Sequence, residues 1–376
     1  MTAAPYNKAS EFNQLAVRMI FAQHYLKSCA YLLMFGSLIC ACAPKSIDDP
    51  RPSALALLSL AEHEIRQENY AAAIPHLDSA LAINPKLANL YVLKSEVLEK
   101  TGDYNSAIAS LEKYLEYRSN HPPIWKRIAK LHTRAGRYEQ AHIFFKRYLV
   151  ANPDSVNTYL DLAETNYQMG EYQTALNYLL DYRNRIAQPA AAYWRLQGFS
   201  LFKIKEFDAA IAAINRYIAM TKPEPEAIKF LGMAKFETGL QEEAMTLLNS
   251  NNVDLSKDAE VYVYRAKYFS LRNKNEAARE QLNYAIQLDG ECKAAWFERA
   301  VLEYKSQQFA VSQRSFERLL QIDPEFWEAY RYLGFIAEKQ SDMETAGSHY
   351  RTYMKHTEND TVVSARMDAL KRRLDK

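Results

Sequence analysis

Glycine and cysteine are both scarce in this chain of 376 residues, with 10 and four copies, and each shortage removes a class of function. No glycine-rich, phosphate-cradling loop is present. Only Cys292 lies beyond residue 42, so the body of the chain has no pair for a disulfide. Metal-ligand spacing is missing as well: in the nearest match, His63-Glu64-Ile65-Arg66-Gln67, Gln stands where the second ligand His belongs. His132 and His142 read as packing or surface residues rather than ligands. Neither sign of charge dominates, because the formal net charge is +2 and Lys8, Arg18 and Lys27 against Glu11 account for all of it. A balanced remainder argues against a nucleic-acid partner, which needs a basic excess on one face. The expectation is a protein with no catalytic residues, no metal and no cofactor.

What the chain does have is repetition. Units of 34 residues begin at Ala54, Ala88, Pro122, Val156, Ala191, Pro225, Ala259, Lys293 and Trp327, with one residue of slippage near Ala190. Counting each start as position 1, position 8 is small in all nine units, from Ala61 through Ser95 and Gly198 to Gly334. Position 20 is small too, from Ala73 through Ser312 to Ala346. Two small residues twelve apart, with Gly102, Gly136, Gly170 or Gly239 between them, describe two antiparallel helices that meet closely across a turn. Pro85, Pro153 and Pro324 stand where the second helix must stop, since proline lacks the amide and its ring clashes with the preceding turn. A unit of this length buries its apolar face only against its neighbours, so the expected architecture is an open stack.

The pattern is met most fully by Pro122 to Ser155, with Trp125, Ala129, Gly136, Tyr138, Ala141, Phe145 and Pro153, and it resembles the tetratricopeptide repeat. The resemblance covers residues 54–360 and implies an all-α, right-handed superhelix of nine helix-turn-helix repeats that binds protein partners. Glu64, Asn166, Lys235 and Glu303 depart from it at position 11, where the family prefers an apolar or aromatic residue, and the unit from Pro225 lacks the terminal proline. Tyr114, Tyr148, Tyr182, Tyr217 and Tyr353 share position 27 and are expected in the core with wet hydroxyls. Residues 361–376 carry Val362, Val363, Met367, Leu370 and Leu374 opposite Arg366, Arg372 and Arg373, an amphipathic pattern suited to a capping helix.

The front of the chain sets the expected compartment. Lys27 precedes the uncharged stretch from Cys29 to Ala41, which is shorter than the roughly 20 residues of a membrane span and suits a secretory signal. Ile39, Cys40, Ala41 and Cys42 resemble a bacterial lipobox. That resemblance implies removal of residues 1–41, with Met19 as a candidate true start, and lipidation of Cys42. Residues 42–53 then read as a lipidated tether. Ala43 after the cysteine implies the outer membrane, facing the periplasm.

On the first helix of each unit, positions 4, 7, 8 and 11 point one way and positions 2, 5, 9, 12 and 13 the other. The second set should line the concave face, and there it yields Phe199, Phe202, Met233, Phe236, Phe297, Val301, Tyr304 and Phe335, with Tyr167 at the edge. Apolar side chains on a stripe expected to be wet predict a docking groove. Tyr167, Phe236 and Tyr304 have a competing explanation, since each follows a polar position 11 and can swing inward as its substitute. Nearer the front, Lys126, Lys130, Arg134, Glu96, Glu99 and Glu164 give a mixed charged face.

The expected function is a membrane-anchored scaffold or adaptor for a segment of other envelope proteins. The resemblance to bacterial tetratricopeptide lipoproteins implies roles in pilus or secretin assembly or in recruiting cell-wall enzymes. A periplasmic carrier of a small apolar ligand would use the same groove, and a membrane-anchored co-chaperone is a further alternative.

Overall fold

The computed structural model describes residues 53–250, 253–357 and 360–374. Cys42 and the signal segment lie outside the described residues, within which every regular element is helical. The chain enters α1 (Ala54–Arg66) through Ser53, whose hydroxyl caps the amide of Ala56 at 3.2 Å. α2 (Tyr70–Ile83) completes the first hairpin. The next four hairpins pair α3 (Ala88–Lys100) with α4 (Tyr104–Tyr117), α5 (Pro122–Arg134) with α6 (Tyr138–Ala151), α7 (Val156–Gln168) with α8 (Tyr172–Arg183), and α9 (Ala191–Lys203) with α10 (Phe207–Met220). The last four pair α11 (Pro225–Glu237) with α12 (Gln241–Leu248), α13 (Ala259–Leu271) with α14 (Asn275–Leu288), α15 (Lys293–Lys305) with α16 (Phe309–Ile322), and α17 (Trp327–Lys339) with α18 (Met343–Met354). α19 (Thr361–Leu374) closes the end. Every first helix starts at the predicted residue, and the unit from Pro225 has the shortest second helix, eight residues in α12.

Small residues set the spacing within each hairpin. Positions 8 and 20 are buried in all nine repeats, and at Gly198 and Gly334 the partner helix comes closer than alanine allows. A Cβ on Gly198 would fall 2.5 Å from Ile214 Cγ1, and one on Gly334 would fall 2.5 Å from Tyr350 Cδ1. Gly347, on the facing helix α18, meets only the tip of Arg351 at 3.6 Å. Two substitutions in one repeat should therefore have opposite signs. Gly347→Ala is expected to stabilise by about 0.5–1 kcal/mol, the usual gain for a helical glycine. Gly334→Ala should destabilise by about 1–3 kcal/mol, because the buried Tyr350 ring cannot step aside. Denaturant unfolding of the two variants checks this; a stabilised Gly334→Ala protein would show that the helices separate freely.

All nine turns place position 15 in the left-handed region, with φ from 55° to 87°. Glycine fills four of them, while Glu68, Lys205, Asn273, Gln307 and Ser341 take the same conformation at a cost of roughly 1 kcal/mol each. The geometry of the hairpin dictates the turn even where the sequence carries no glycine to announce it.

The polar residues at position 11 find partners. Asn166 is buried and its Nδ2 donates to the Leu162 carbonyl at 2.7 Å and meets His142 Nδ1 at 3.1 Å. Glu303 is 2% exposed, yet accepts from Ser315 Oγ at 2.7 Å and Arg299 Nε at 3.0 Å. A buried charge needs such pairing, since unpaired it would cost several kcal/mol. The position-27 tyrosines are buried at Tyr114, Tyr182, Tyr217 and Tyr353, but their hydroxyls are not simply wet. Tyr114 Oη lies 2.7 Å from His121 Nδ1, and Tyr353 Oη donates to Asp360 at 3.1 Å, so these rings tie each second helix to the loop that follows. In α19, Val363 and Leu370 are buried against Tyr350 and Tyr353. Arg366, on the charged side of that amphipathic pattern, pairs with Glu338 and lies 4.7 Å from the centre of the Phe335 ring.

Candidate binding groove

Successive first helices pack on one another as well as on the preceding second helix, and this contact narrows the wet stripe. Where position 9 is charged, it is exposed at Glu62, Glu96 and Lys130 and half-buried at Glu164 and Lys267. Where it is apolar it is buried at Phe199, Met233 and Val301 and half-buried at Phe335. Phe199 is fully buried, in edge-to-face contact with Phe230 of the next first helix at 4.7 Å, and Tyr167 of the previous one lies 6.4 Å away. Met233, at 3%, and Val301, at 7%, are buried in the same way. Phe236 is 8% exposed and sits edge-on to Tyr264 at 5.3 Å. The expectation that Phe199, Met233, Phe236 and Val301 present free surface is corrected, although Met233, Phe236 and Val301 each keep an edge on a cavity of the groove. Helical phase alone places them on the concave side, but the neighbouring repeat sits on top of them.

The other predicted residues are half-buried and fall into two groups. Phe202 and Phe297 line one open cavity of about 780 Å³. Tyr304 and Phe335 lie further along, in an aromatic cluster with Tyr332, whose ring is 5.6 Å from Tyr304 and 5.8 Å from Phe335. Phe297 joins the two groups, with Phe326 at 5.2 Å and Tyr332 at 5.8 Å.

The cavity opens along α9, α11, α13 and α15, and its floor is ionic, a feature the apolar reading of the stripe missed. Lys229 bridges Asp258 at 2.8 Å and Glu260 at 3.1 Å. Lys267 lies between Glu237 at 3.3 Å and Glu298 at 3.9 Å. Tyr264 donates its hydroxyl to the same Glu237 at 2.8 Å. Burial pushes the Glu298 carboxyl above the usual range in spite of Lys267 and Lys305 nearby. Burial, then the charges of Glu237, Glu260 and Glu298, push the Tyr264 phenol up strongly. Lys267 and Glu298 also border two smaller cavities that reach Leu271 and Lys305, so the groove continues beyond the main opening. Cys292 is buried at its margin, with its thiol pushed up by burial.

A sequence signal for this network exists: charges of opposite sign recur about 30 residues apart on the first helices. The front half carries the same device. Arg127 reaches Glu96 at 2.5 Å and Glu99 at 3.1 Å, Lys126 meets Asp161 at 3.4 Å, and Arg195 pairs with Glu164. Each half-exposed pair contributes at most about 1 kcal/mol. Together they fix which repeat faces which.

The family model of the tetratricopeptide repeat matches residues 64–131, 98–155 and 132–198, and a second model of that repeat matches residues 301–355. Among curated proteins, the TPR repeat-containing protein MJ1428 of Methanocaldococcus jannaschii is 24% identical over 190 residues, covering 48% of this chain and 33% of that protein. The DnaJ homolog subfamily C member 3 of Gallus gallus is 27% identical over 133 residues, 32% of this chain and 26% of that one. The matches span about a quarter to a third of those relatives' length. Among solved structures, the APC/C hetero-tetramer Cut9-Hcn1 contains a chain similar in fold, with TM-score 0.55 and 15% identity over 84% of this chain and 62% of that one.

Proposed function

The chain belongs to the tetratricopeptide repeat family, and on that footing we propose a lipid-anchored scaffold of a bacterial cell envelope. It holds a segment of another envelope protein in the groove along α9 to α15, and it works by binding rather than by catalysis. The observation that carries this reading is the open cavity of about 780 Å³, in which Phe202, Phe297 and Phe326 stand beside Lys229, Glu260 and Glu298. Aromatic walls over charged groups suit a polypeptide, whose side chains and amides satisfy both. A purely apolar small ligand would strip water from the ionic floor and offer it no polar group in return. Support for the anchor comes from Ile39-Cys40-Ala41-Cys42, and the eleven residues from Ala43 to Ser53 reach at most about 36 Å. The groove would then work close to the lipid surface.

A photo-crosslinking residue placed at Leu271 or Lys305, which border the groove, should yield one discrete adduct in living cells. The same residue at the exposed Ile143 or Val150 should yield none. Adducts confined to Ile143 and Val150 would move the binding surface to the other face. Labelling with radioactive palmitate should be lost in Cys42→Ser, and labelling that persists in that variant would remove the anchor.

A further inference from the structure

Resting on that groove reading and going beyond it, we infer that the groove selects a partner segment through a basic side chain, lysine or arginine, flanked by apolar residues. The charges that line the groove are shared. The Lys229 ammonium serves both Asp258 and Glu260, and the Lys267 ammonium serves both Glu237 and Glu298. Lys293, at the rim, is turned to Asp323 at 2.9 Å. Each of these two interior cations is thus divided between two carboxylates, and the cavity lining as a whole sets Lys229, Lys257, Lys267 and Lys293 against Asp258, Glu260, Asp289, Glu291 and Glu298, one negative charge in excess. Two groups inside the site register that field. Next to burial, the Tyr264 phenol is raised by the charges of Glu237, Glu260 and Glu298, and the Cys292 thiol by Asp289 and Glu260.

The walls supply the rest of the recognition. Aromatic faces attract cations, and those here already hold cations of the chain itself: Lys203 and Lys229 lie 5.3 and 5.4 Å from the Phe230 ring centre, and Lys267 lies 4.6 Å from that of Tyr264. A guanidinium or ammonium entering between Glu298 and the rings of Phe297 and Phe326 meets a carboxylate on one side and aromatic surface on the other. The apolar neighbours of that residue would cover Phe202 and Phe297. An acidic segment would meet the same carboxylates unpaired, and like charges in a part-buried groove oppose binding.

The probe is a phage-displayed library of random dodecapeptides, panned on the full-length protein in detergent and counter-panned on Glu298→Gln. Peptides retained by the native protein should carry one lysine or arginine flanked by aromatic or aliphatic residues. Measured by fluorescence anisotropy, a synthetic winner should bind at least tenfold more weakly to Glu298→Gln. It should weaken equally when its basic residue is replaced by norleucine, and weaken further as salt is raised. Glu260→Gln, on the exposed first turn of α13, provides a second variant, and circular dichroism of both confirms that they fold. Winners that are acidic or uncharged but still compete with crosslinking at Leu271 would overturn the basic-residue proposal and leave the scaffold reading intact. A library that yields no groove-dependent peptide would remove both. A dimer of the protein that Glu298→Gln dissociates would place a second copy in the groove and would likewise overturn the proposal.

Discussion

Phe199→Ala is expected to destabilise the protein by about 3–5 kcal/mol, the range for deleting a large aromatic ring from a sealed interior. The ring is fully buried and contacts Phe230 at 4.7 Å, beneath the partly covered Tyr167 and Trp194. It joins three consecutive first helices, so its loss opens a void where α7, α9 and α11 meet. Phe202, one turn further along the same helix and half-buried, should cost clearly less as Phe202→Ala. Hydrogen exchange across α9 to α11, with urea unfolding, separates the two, because repeat arrays can open locally before they unfold as a whole. A near-neutral Phe199→Ala protein that has lost its crosslinked partner would return Phe199 to the groove and overturn the packing described here.

The second large effect concerns acid. His132 is 5% exposed, stacked on Phe144 at 5.7 Å, and burial, helped by the charge of Arg137, pushes its imidazole down to about 4. The ordinary value in an unfolded chain is about 6.5. Between those values the unfolded chain takes up a proton that the folded chain refuses. The neutral ring's contribution is therefore complete above about pH 6.5 and is lost as pH falls toward 4. At about 1.4 kcal/mol per unit the loss is of order 3 kcal/mol. Burial lowers His142 and His349 as well, which adds to the loss with the same sign. Urea unfolding at pH 7.0 and pH 4.5 should show the native protein weakened by about 2–3 kcal/mol, and His132→Phe should lose distinctly less over the same interval. Equal pH dependence in the two proteins would mean that His132 is protonated in the folded state.

Periodicity alone determined a great deal about this protein. Nine hairpins, their starting residues, the small positions 8 and 20 and the capping helix could be placed because each is a local consequence of helix period, chain length and side-chain volume. Those quantities need no knowledge of the neighbours. The mixed composition of the first-helix stripe also pointed to the concave side of the later repeats, where Phe202 and Phe297 do line a cavity.

Tertiary structure decided which of those side chains are available. Phe199 carries the same phase as Phe202 and Phe297, yet the adjoining first helix seals it completely, while Met233, Phe236 and Val301 keep only an edge on the cavities. The distinction depends on contacts between residues about 30 apart in sequence, and no helical wheel contains them. The same holds for the ionic floor. Lys229, Lys267, Glu237 and Glu298 belong to charges of opposite sign spaced about 30 residues apart, and that spacing becomes ion pairs on one floor only when stacking brings three repeats side by side.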